Sequence, residues 1–349
     1  MLFRSVATDS LRETQLMRKL LLTTTALIAL GSVSAVAADI SLSGNMRFRY
    51  NTWSDDDTAV AGANNNSMTN VMQLWVKSSA TLDNGLAIGT NTRINASGAI
   101  DRNWIDINGD FGQIDLGQQW TPSYANSLHE YWVGTIAGGN YMGGSTNTGV
   151  AAMNAAGFIG GTKNNKVVYR NSLAGINVAF SYGDAGATSE ADEKSMAVNY
   201  TMPMMDGKLK LNYADISNDA ANATSDESSG AELGVEYSAG FGRVYALQQN
   251  TEVKTAAGVK TTDQQNTTVG LNYKVNSATQ LVFFNQNVDE SGTTNINDEF
   301  SSNTVGVRHD MAGGLRIGLL HSNYEYTDAS AAATNDDGSA TRLEVRVNF

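Results

Sequence analysis

Basic side chains recur at alternate positions in the first half of the chain, and they are the residues best placed to act on a charged solute. Counted by odd-even alternation within each segment, six of them fall on one face: Arg47, Arg49, Lys77, Arg93, Arg102 and Arg170. Charges gathered along one wall of a confined space set a field that filters ions. We therefore expect these six residues to line one side of a common cavity. Each arginine could instead form an ion pair with an acid on that face, such as Asp106 or Asp115.

Catalytic and metal-binding motifs are missing from the sequence. The three histidines, His129, His309 and His321, stand in no H-E-x-x-H motif, triad-like context or metal-ligand spacing, and there is no cysteine. Glycine pairs such as Gly143-Gly144 lack the strand and helix that frame a phosphate site. We therefore expect no enzyme activity, no cofactor and no metal site. The formal charge of −12 also argues against a nucleic-acid partner.

The elements that must carry the basic face are β-strands. From residue 38 onward, apolar and polar residues alternate with a period of two, in segments of roughly ten residues, the length a tilted strand needs to cross a bilayer. In the last segment Leu343, Val345 and Val347 alternate with Glu344 and Arg346. Sixteen such segments begin near residues 40, 70, 85, 101, 113, 164, 175, 192, 207, 229, 241, 265, 278, 301, 314 and 340.

Tight turns and long polar loops alternate between these segments. Tight turns are expected at residues 83–85, 109–112, 202–207, 238–242, 276–277 and 311–314. Long loops are expected at residues 51–69, 183–191, 215–228, 251–264, 288–300 and 325–339. Short turns at one end and long loops at the other are typical of a membrane barrel. A soluble sandwich has no reason to sort its loops in this way.

The number of strands decides which face points inward. Sixteen strands enclose a lumen too wide for side chains to fill, so the polar face must point inward and the apolar face toward lipid. The sequence therefore predicts an all-β fold over residues 38–349, a transmembrane 16-stranded antiparallel β-barrel. Aromatic residues near the strand ends would form the interfacial girdle: Tyr50, Tyr169, Tyr182, Tyr200, Tyr213, Tyr237 and Phe349.

Residues 120–163 form the longest stretch without a strand pattern. A structureless segment of that length within a compact fold calls for a functional explanation. The segment is rich in glycine and aromatic residues, and Glu130 is its only carboxylate. We expect it to fold into the lumen as a pore-constricting loop opposite the basic face; an exposed mobile loop is the alternative.

The first 37 residues are expected to be a leader rather than part of the fold. Met17-Arg18-Lys19 is a basic start, residues 20–30 are apolar, and Ala35-Val36-Ala37 matches the A-x-A cleavage pattern. We interpret residues 17–37 as a signal peptide and residues 1–16 as a mis-assigned start. Without the leader the formal charge is −14.

Four stretches resemble the Gram-negative general porin family. They are residues 38–44 (ADISLSG), 111–119 (FGQIDLGQQ), 165–176 (NKVVYRNSLAGI) and the final Phe349. The resemblance implies an outer-membrane porin, a water-filled channel for passive diffusion of small hydrophilic solutes and ions. It also implies a homotrimer, a third loop folded into the lumen, and recognition of Phe349 by the barrel-assembly machinery. The acidic loop motif of enteric members is not legible here, so their cation selectivity does not carry over.

Two other functions remain open from the sequence. One is a substrate-specific outer-membrane channel, which needs a ladder of aromatic or basic residues. The other is a β-rich surface or adhesive protein without a pore. Acidic residues concentrate in the predicted long loops at 55–57, 190–193, 226–227, 289–290 and 336–337. They are expected to be solvated, or else to bind divalent cations that bridge to lipopolysaccharide in the surrounding outer-membrane lipid.

Overall fold

The computed structural model describes residues 39–55, 64–128, 164–183, 192–219, 226–292, 298–327, 329 and 335–349. The predicted leader and residues 129–163 of the predicted constricting loop lie outside these ranges. No helix among the described residues is both long enough and apolar enough to cross a membrane.

The described residues form sixteen β-strands in chain order. They are β1 (Asp39–Asp55), β2 (Asn64–Thr81), β3 (Ala87–Asn95), β4 (Ile100–Gly109), β5 (Gly112–Gln118), β6 (Asn165–Leu173), β7 (Ile176–Gly183), β8 (Glu193–Met204), β9 (Gly207–Asn218), β10 (Glu227–Ala239), β11 (Gly242–Lys254), β12 (Lys260–Lys274), β13 (Thr279–Ser291), β14 (Asp298–Asp310), β15 (Leu315–Thr327) and β16 (Asp336–Asn348). A five-residue helix, α1 (Pro122–Asn126), follows β5, and a short 3-10 turn, Ala312–Gly314, precedes β15.

Every strand pairs antiparallel with its neighbours in sequence, and β1 pairs with β16 to close the barrel. Closure leaves no sheet edge, as a lipid environment demands, since an unpaired backbone group has no hydrogen-bond partner there. The predicted fold class and strand number are confirmed.

The two faces of the sheet differ as the alternation predicted. Large apolar side chains on one face are exposed, among them Leu42 and Leu233, together with Tyr182, Tyr200 and Tyr213 of the predicted girdle. The other face carries buried polar side chains, for example Asn212, Gln249, Gln286 and Glu344. Side chains on the concave face converge and shield one another, so the polar face is the inward one. The lumen is therefore polar and the outer surface apolar.

Some strands extend further into the predicted long loops than the alternation indicated. β2 begins at Asn64 rather than near residue 70, and the expected loop at 251–264 is a short connection closed by a bond from Thr255 N to Val259 O of 2.9 Å. The residues added to β12 are all polar, and those added to β2 are polar except for Met68. Apolar and polar residues alternate only in the part of a strand whose outer face contacts lipid. The backbone hydrogen bonds between neighbouring strands continue beyond that part.

Candidate functional site

The predicted basic residues of β1 lie inside the barrel beside two arginines of β16. Arg47 stands opposite Arg346 in the register, and Arg49 opposite Glu344. Glu344 binds two guanidinium groups, with Arg49 Nε 2.8 Å from Oε2 and Arg346 Nη2 2.7 Å from Oε1. Arg342 lies one step further along the same face and donates from Nε to the side chain of Asn51. Arg47, Arg49, Arg342 and Arg346 thus form an arginine cluster beside the carboxylate of Glu344.

The remaining early basic residues gather around the indole of Trp75. Lys77 Nζ lies 5.5 Å, Arg93 Cζ 5.7 Å and Arg102 Cζ 5.0 Å from the ring centroid. Asp101 forms ion pairs with both arginines. The register explains the gathering, because Trp75 pairs with Arg93 and Arg93 with Arg102 across β2, β3 and β4.

Further aromatic rings adjoin this group. Trp75 and Trp104 meet edge to face at 5.7 Å, and Arg102 also lies 5.4 Å from the ring of Trp120. Trp120 packs on Tyr124 of α1 at 4.4 Å. Burial raises the pKa of the Tyr124 phenol above its ordinary value. We call Trp75, Trp104, Trp120, Lys77, Arg93 and Arg102 the tryptophan-basic cluster.

Arg170 differs from Arg49, Arg93 and Arg102 because, among the described residues, it does not share its carboxylate with a second guanidinium group. It forms an ion pair with Asp115 and donates from Nη2 to Gln119 Oε1 at 3.1 Å. Asp106 accepts from the amides of Asn91 and Asn108 at 2.5 and 3.0 Å. An ion pair with an acid on the same face, the alternative named from the sequence, therefore occurs at Arg170 as it does at Arg49, Arg93 and Arg102.

Sequence reasoning missed several basic residues of the same inner face. Besides Arg342 and Arg346, Arg308 and Arg316 both bind Asp310 at the β14–β15 connection, with contacts of 2.6 and 2.5 Å. The odd-even alternation of the last strand already separated Arg342 and Arg346 from the apolar residues, and this signal was sufficient to place them. The basic wall thus runs from β14 through β16 to β4.

A buried ion pair lies on the inner wall between β6 and β8. Lys166 Nζ is 2.5 Å from Glu193 Oε1, and both side chains are almost fully buried. The expectation that the acidic clusters are solvated loop residues is therefore wrong for Glu193, and also for Glu290, which is buried in β13 and accepts from Gln264. Glu193 is the first residue of β8 and faces inward, where the strand register places it beside its partner.

The segment after β5 lies against the inner face of the barrel wall. Thr121 caps α1 by accepting from Tyr124 N at 3.3 Å, and Pro122 at the first turn suits a helix start. The helix reaches the inner face of β8 through two hydrogen bonds, Ser123 N to Ser195 Oγ at 3.1 Å and Asn199 Nδ2 to Asn126 Oδ1 at 3.2 Å.

Glu232 of β10 anchors the end of this segment. Its carboxylate accepts from Leu128 N at 3.1 Å and from the Ser127 hydroxyl. Asn212 and Gln249, on the neighbouring strands, also donate to it, at 2.9 and 2.8 Å. Glu130, the predicted acidic member of the constriction, lies outside the described residues.

The side chain of Leu128 completes the anchor. It packs with Tyr245 and Leu247 of β11 in a small buried apolar cluster. It also lies over Gly234, where an added methyl group would come within 2.7 Å of Leu128 Cδ1. Residues 121–128 therefore run along the polar face from β5 to β11.

Phe349 lies at the seam between β16 and β1. Its backbone exchanges two hydrogen bonds with Gly44, at 2.7 and 3.0 Å. Its ring is exposed on the outer surface and covers Gly44, where an added methyl group would come within 2.9 Å of the ring.

A closed barrel with an apolar outside and a charged, polar inside defines a membrane channel. A sequence model described as Gram-negative porin matches residues 23–332. The chain therefore belongs to the Gram-negative porin family, and it is an outer-membrane porin.

Solved structures with this architecture include OmpT of Vibrio cholerae in its trimer form and an anion-selective porin from Comamonas acidovorans. Each is 16% identical, superposes with a TM-score of 0.68, and matches 90% of this chain and 100% of its own. At that identity the likeness concerns the fold alone. No curated protein matches the chain.

Proposed function

We propose that the barrel is a passive diffusion channel for small hydrophilic solutes and that its basic wall gives it a weak preference for anions. The main support for this preference is that the described part of the wall has fewer carboxylates than basic side chains. Glu344 and Asp101 each serve two guanidinium groups. Among the described residues, Arg47 and Lys77 form no ion pair at all. On the inner face of β1–β4 and β16, the carboxylates of Asp101, Asp106 and Glu344 are thus outnumbered by seven basic side chains: Arg47, Arg49, Lys77, Arg93, Arg102, Arg342 and Arg346.

The proposed constriction rests on the path of residues 121–128. They lie on the inner face of the barrel, bound to β8, β10 and β11, so they occupy part of the lumen. A segment held in this way narrows the opening. We propose that residues 129–163, with Glu130, continue this constricting loop. The family assignment favours such a pore over a surface protein without one, and no catalytic activity is proposed for it.

Reversal potentials in a KCl gradient test the proposed selectivity. Arg93→Ala and Arg102→Ala should each shift the reversal potential toward cations, because each removes a positive charge from the basic wall. Arg243→Ala is the matched control: it removes an equal charge from β11, where Arg243 binds Glu236 at 2.9 Å. Strong cation selectivity at high salt, unchanged by the two wall replacements, would overturn the basic-wall proposal.

We also propose a homotrimer embedded in outer-membrane lipid and lipopolysaccharide. The trimer form of the Vibrio cholerae protein, which shares this fold, supports the assembly. Three equal conductance steps in a planar bilayer, together with a trimeric mass in detergent, are the expected results. Single steps and a monomeric mass would contradict it.

A further inference from the structure

The tryptophan-basic cluster concentrates cations beyond what its acid can neutralise. Lys77, Arg93 and Arg102 all lie within 5.7 Å of one indole centroid, and Asp101 is the carboxylate bound by both arginines. Holding three like charges against one ring is unfavourable unless further negative charge is supplied. Arg93 Nε is moreover buried without a hydrogen-bond partner. The group therefore has unused capacity for an anion.

The same cluster offers flat surfaces for stacking. The rings of Trp75, Trp104 and Trp120 are each only half-buried on the polar face. Guanidinium planes and indole faces both stack on aromatic rings, and such contacts strengthen when water is excluded. A ligand that uses both properties must carry a negative charge and a planar ring.

We propose that the tryptophan-basic cluster is a binding subsite for aromatic carboxylates on the pore wall. The carboxylate is bound by Arg93, Arg102 or Lys77, and the ring stacks on the adjoining indole and guanidinium surfaces. Acetate gains only the charge interaction, and a neutral aromatic solute gains only the stacking. This inference rests on the proposed function in one respect, that solutes pass through the lumen. Such a subsite would make the channel bind aromatic carboxylates in preference to other small solutes.

Benzoate and cyclohexanecarboxylate form a matched pair of probes, equal in charge and similar in size but differing in the aromatic ring. Their binding to the full-length protein in detergent is measured by calorimetry, which requires no conductance. Their transient block of the open channel is measured separately in planar bilayers. We expect benzoate to bind more tightly and to block for longer than cyclohexanecarboxylate and acetate.

Two substitutions test the residues. Trp75→Leu and Arg102→Gln should each weaken benzoate binding about two- to fivefold, the range that corresponds to one exposed cation–π contact. Arg316→Gln is the control, since it removes a cation of the same wall that binds Asp310 and adjoins no ring among the described residues. Trp75→Phe keeps a ring and should retain most of the binding, which separates loss of the subsite from a damaged barrel.

The outcomes distinguish this inference from the proposed function. Equal binding of benzoate and cyclohexanecarboxylate in a conducting, anion-preferring channel overturns the subsite and leaves the function standing. Benzoate binding that Arg316→Gln weakens as much as Arg102→Gln does also overturns it, because general charge would then suffice. Ring-dependent binding in a protein without conductance supports the subsite and refutes the diffusion channel.

Discussion

The buried pair of Lys166 and Glu193 shows how much a single side chain can matter in a polar lumen. Both groups have left water, and their attraction offsets the desolvation only while both remain. We expect Glu193→Gln to lower the free energy of unfolding by roughly 3–5 kcal/mol, because the ammonium stays buried without its counter-charge. Urea unfolding of the purified barrel in detergent measures this loss.

The double replacement Lys166→Met with Glu193→Leu is the informative companion. It removes both charges together, so it should recover most of the stability that Glu193→Gln loses. Equal losses in the single and double variants would show that the attraction between the two charges is not what stabilises this part of the wall.

We expect Glu232 to limit the motion of residues 121–128 within the lumen. Glu232→Gln replaces one acceptor oxygen by a donor, so at least one of the bonds from Leu128 N, Asn212 or Gln249 is lost. Each lost bond to a buried partner costs about 1–3 kcal/mol. We expect greater open-channel current noise and a larger mean conductance. Glu236→Gln, on the same strand and bound to Arg243, should leave the noise at its original level, and an equally quiet Glu232→Gln channel would refute the anchor.

At the scale of elements, the sequence predicted the strands well because one face of each meets an apolar surrounding. It failed where that contrast ends, as in the polar first residues of β2 and β12. Glu193 was misplaced for the same reason, since it begins a strand within an acidic run. The Trp75 group could not be anticipated, because the register that joins β2, β3 and β4 depends on pairing between separate segments.

Phe349, where β16 meets β1, is expected to be needed for assembly of the barrel. Deleting it removes two backbone hydrogen bonds to Gly44 and the ring that covers that glycine. We expect a marked fall in the amount of folded barrel in the outer membrane, measured in membrane fractions. Phe349→Leu retains the backbone bonds, so it separates the two contributions. Normal insertion of both variants would exclude Phe349 as an assembly signal.

For the whole molecule, selectivity should depend on salt concentration. The basic wall lies in the lumen, whereas Asp226, Glu227 and Asp289 are exposed at the end of the barrel that carries the β9–β10 and β13–β14 connections. At physiological salt, exposed charges are screened beyond a Debye length of roughly 8 Å. In dilute salt the Debye length is greater, so the same charges act over longer distances. We therefore expect a weak anion preference in concentrated KCl that shifts toward cations as KCl is lowered. Reversal potentials at fixed concentration ratio measure the trend, and the opposite trend would contradict this arrangement.

The pairing of β1 with β16 has a consequence for the order of events in biogenesis. The bonds between Gly44 and Phe349 join residues about 300 positions apart in the chain. Each nearest-neighbour hairpin can form as soon as its two strands exist, but the last ladder must wait for the last strand. Until then the growing sheet has two unpaired margins, which invite pairing with other chains. A chain in which β16 has not yet paired with β1 is therefore prone to aggregate and does not form a smaller pore. We expect chaperones to be needed until this last pair of strands has formed.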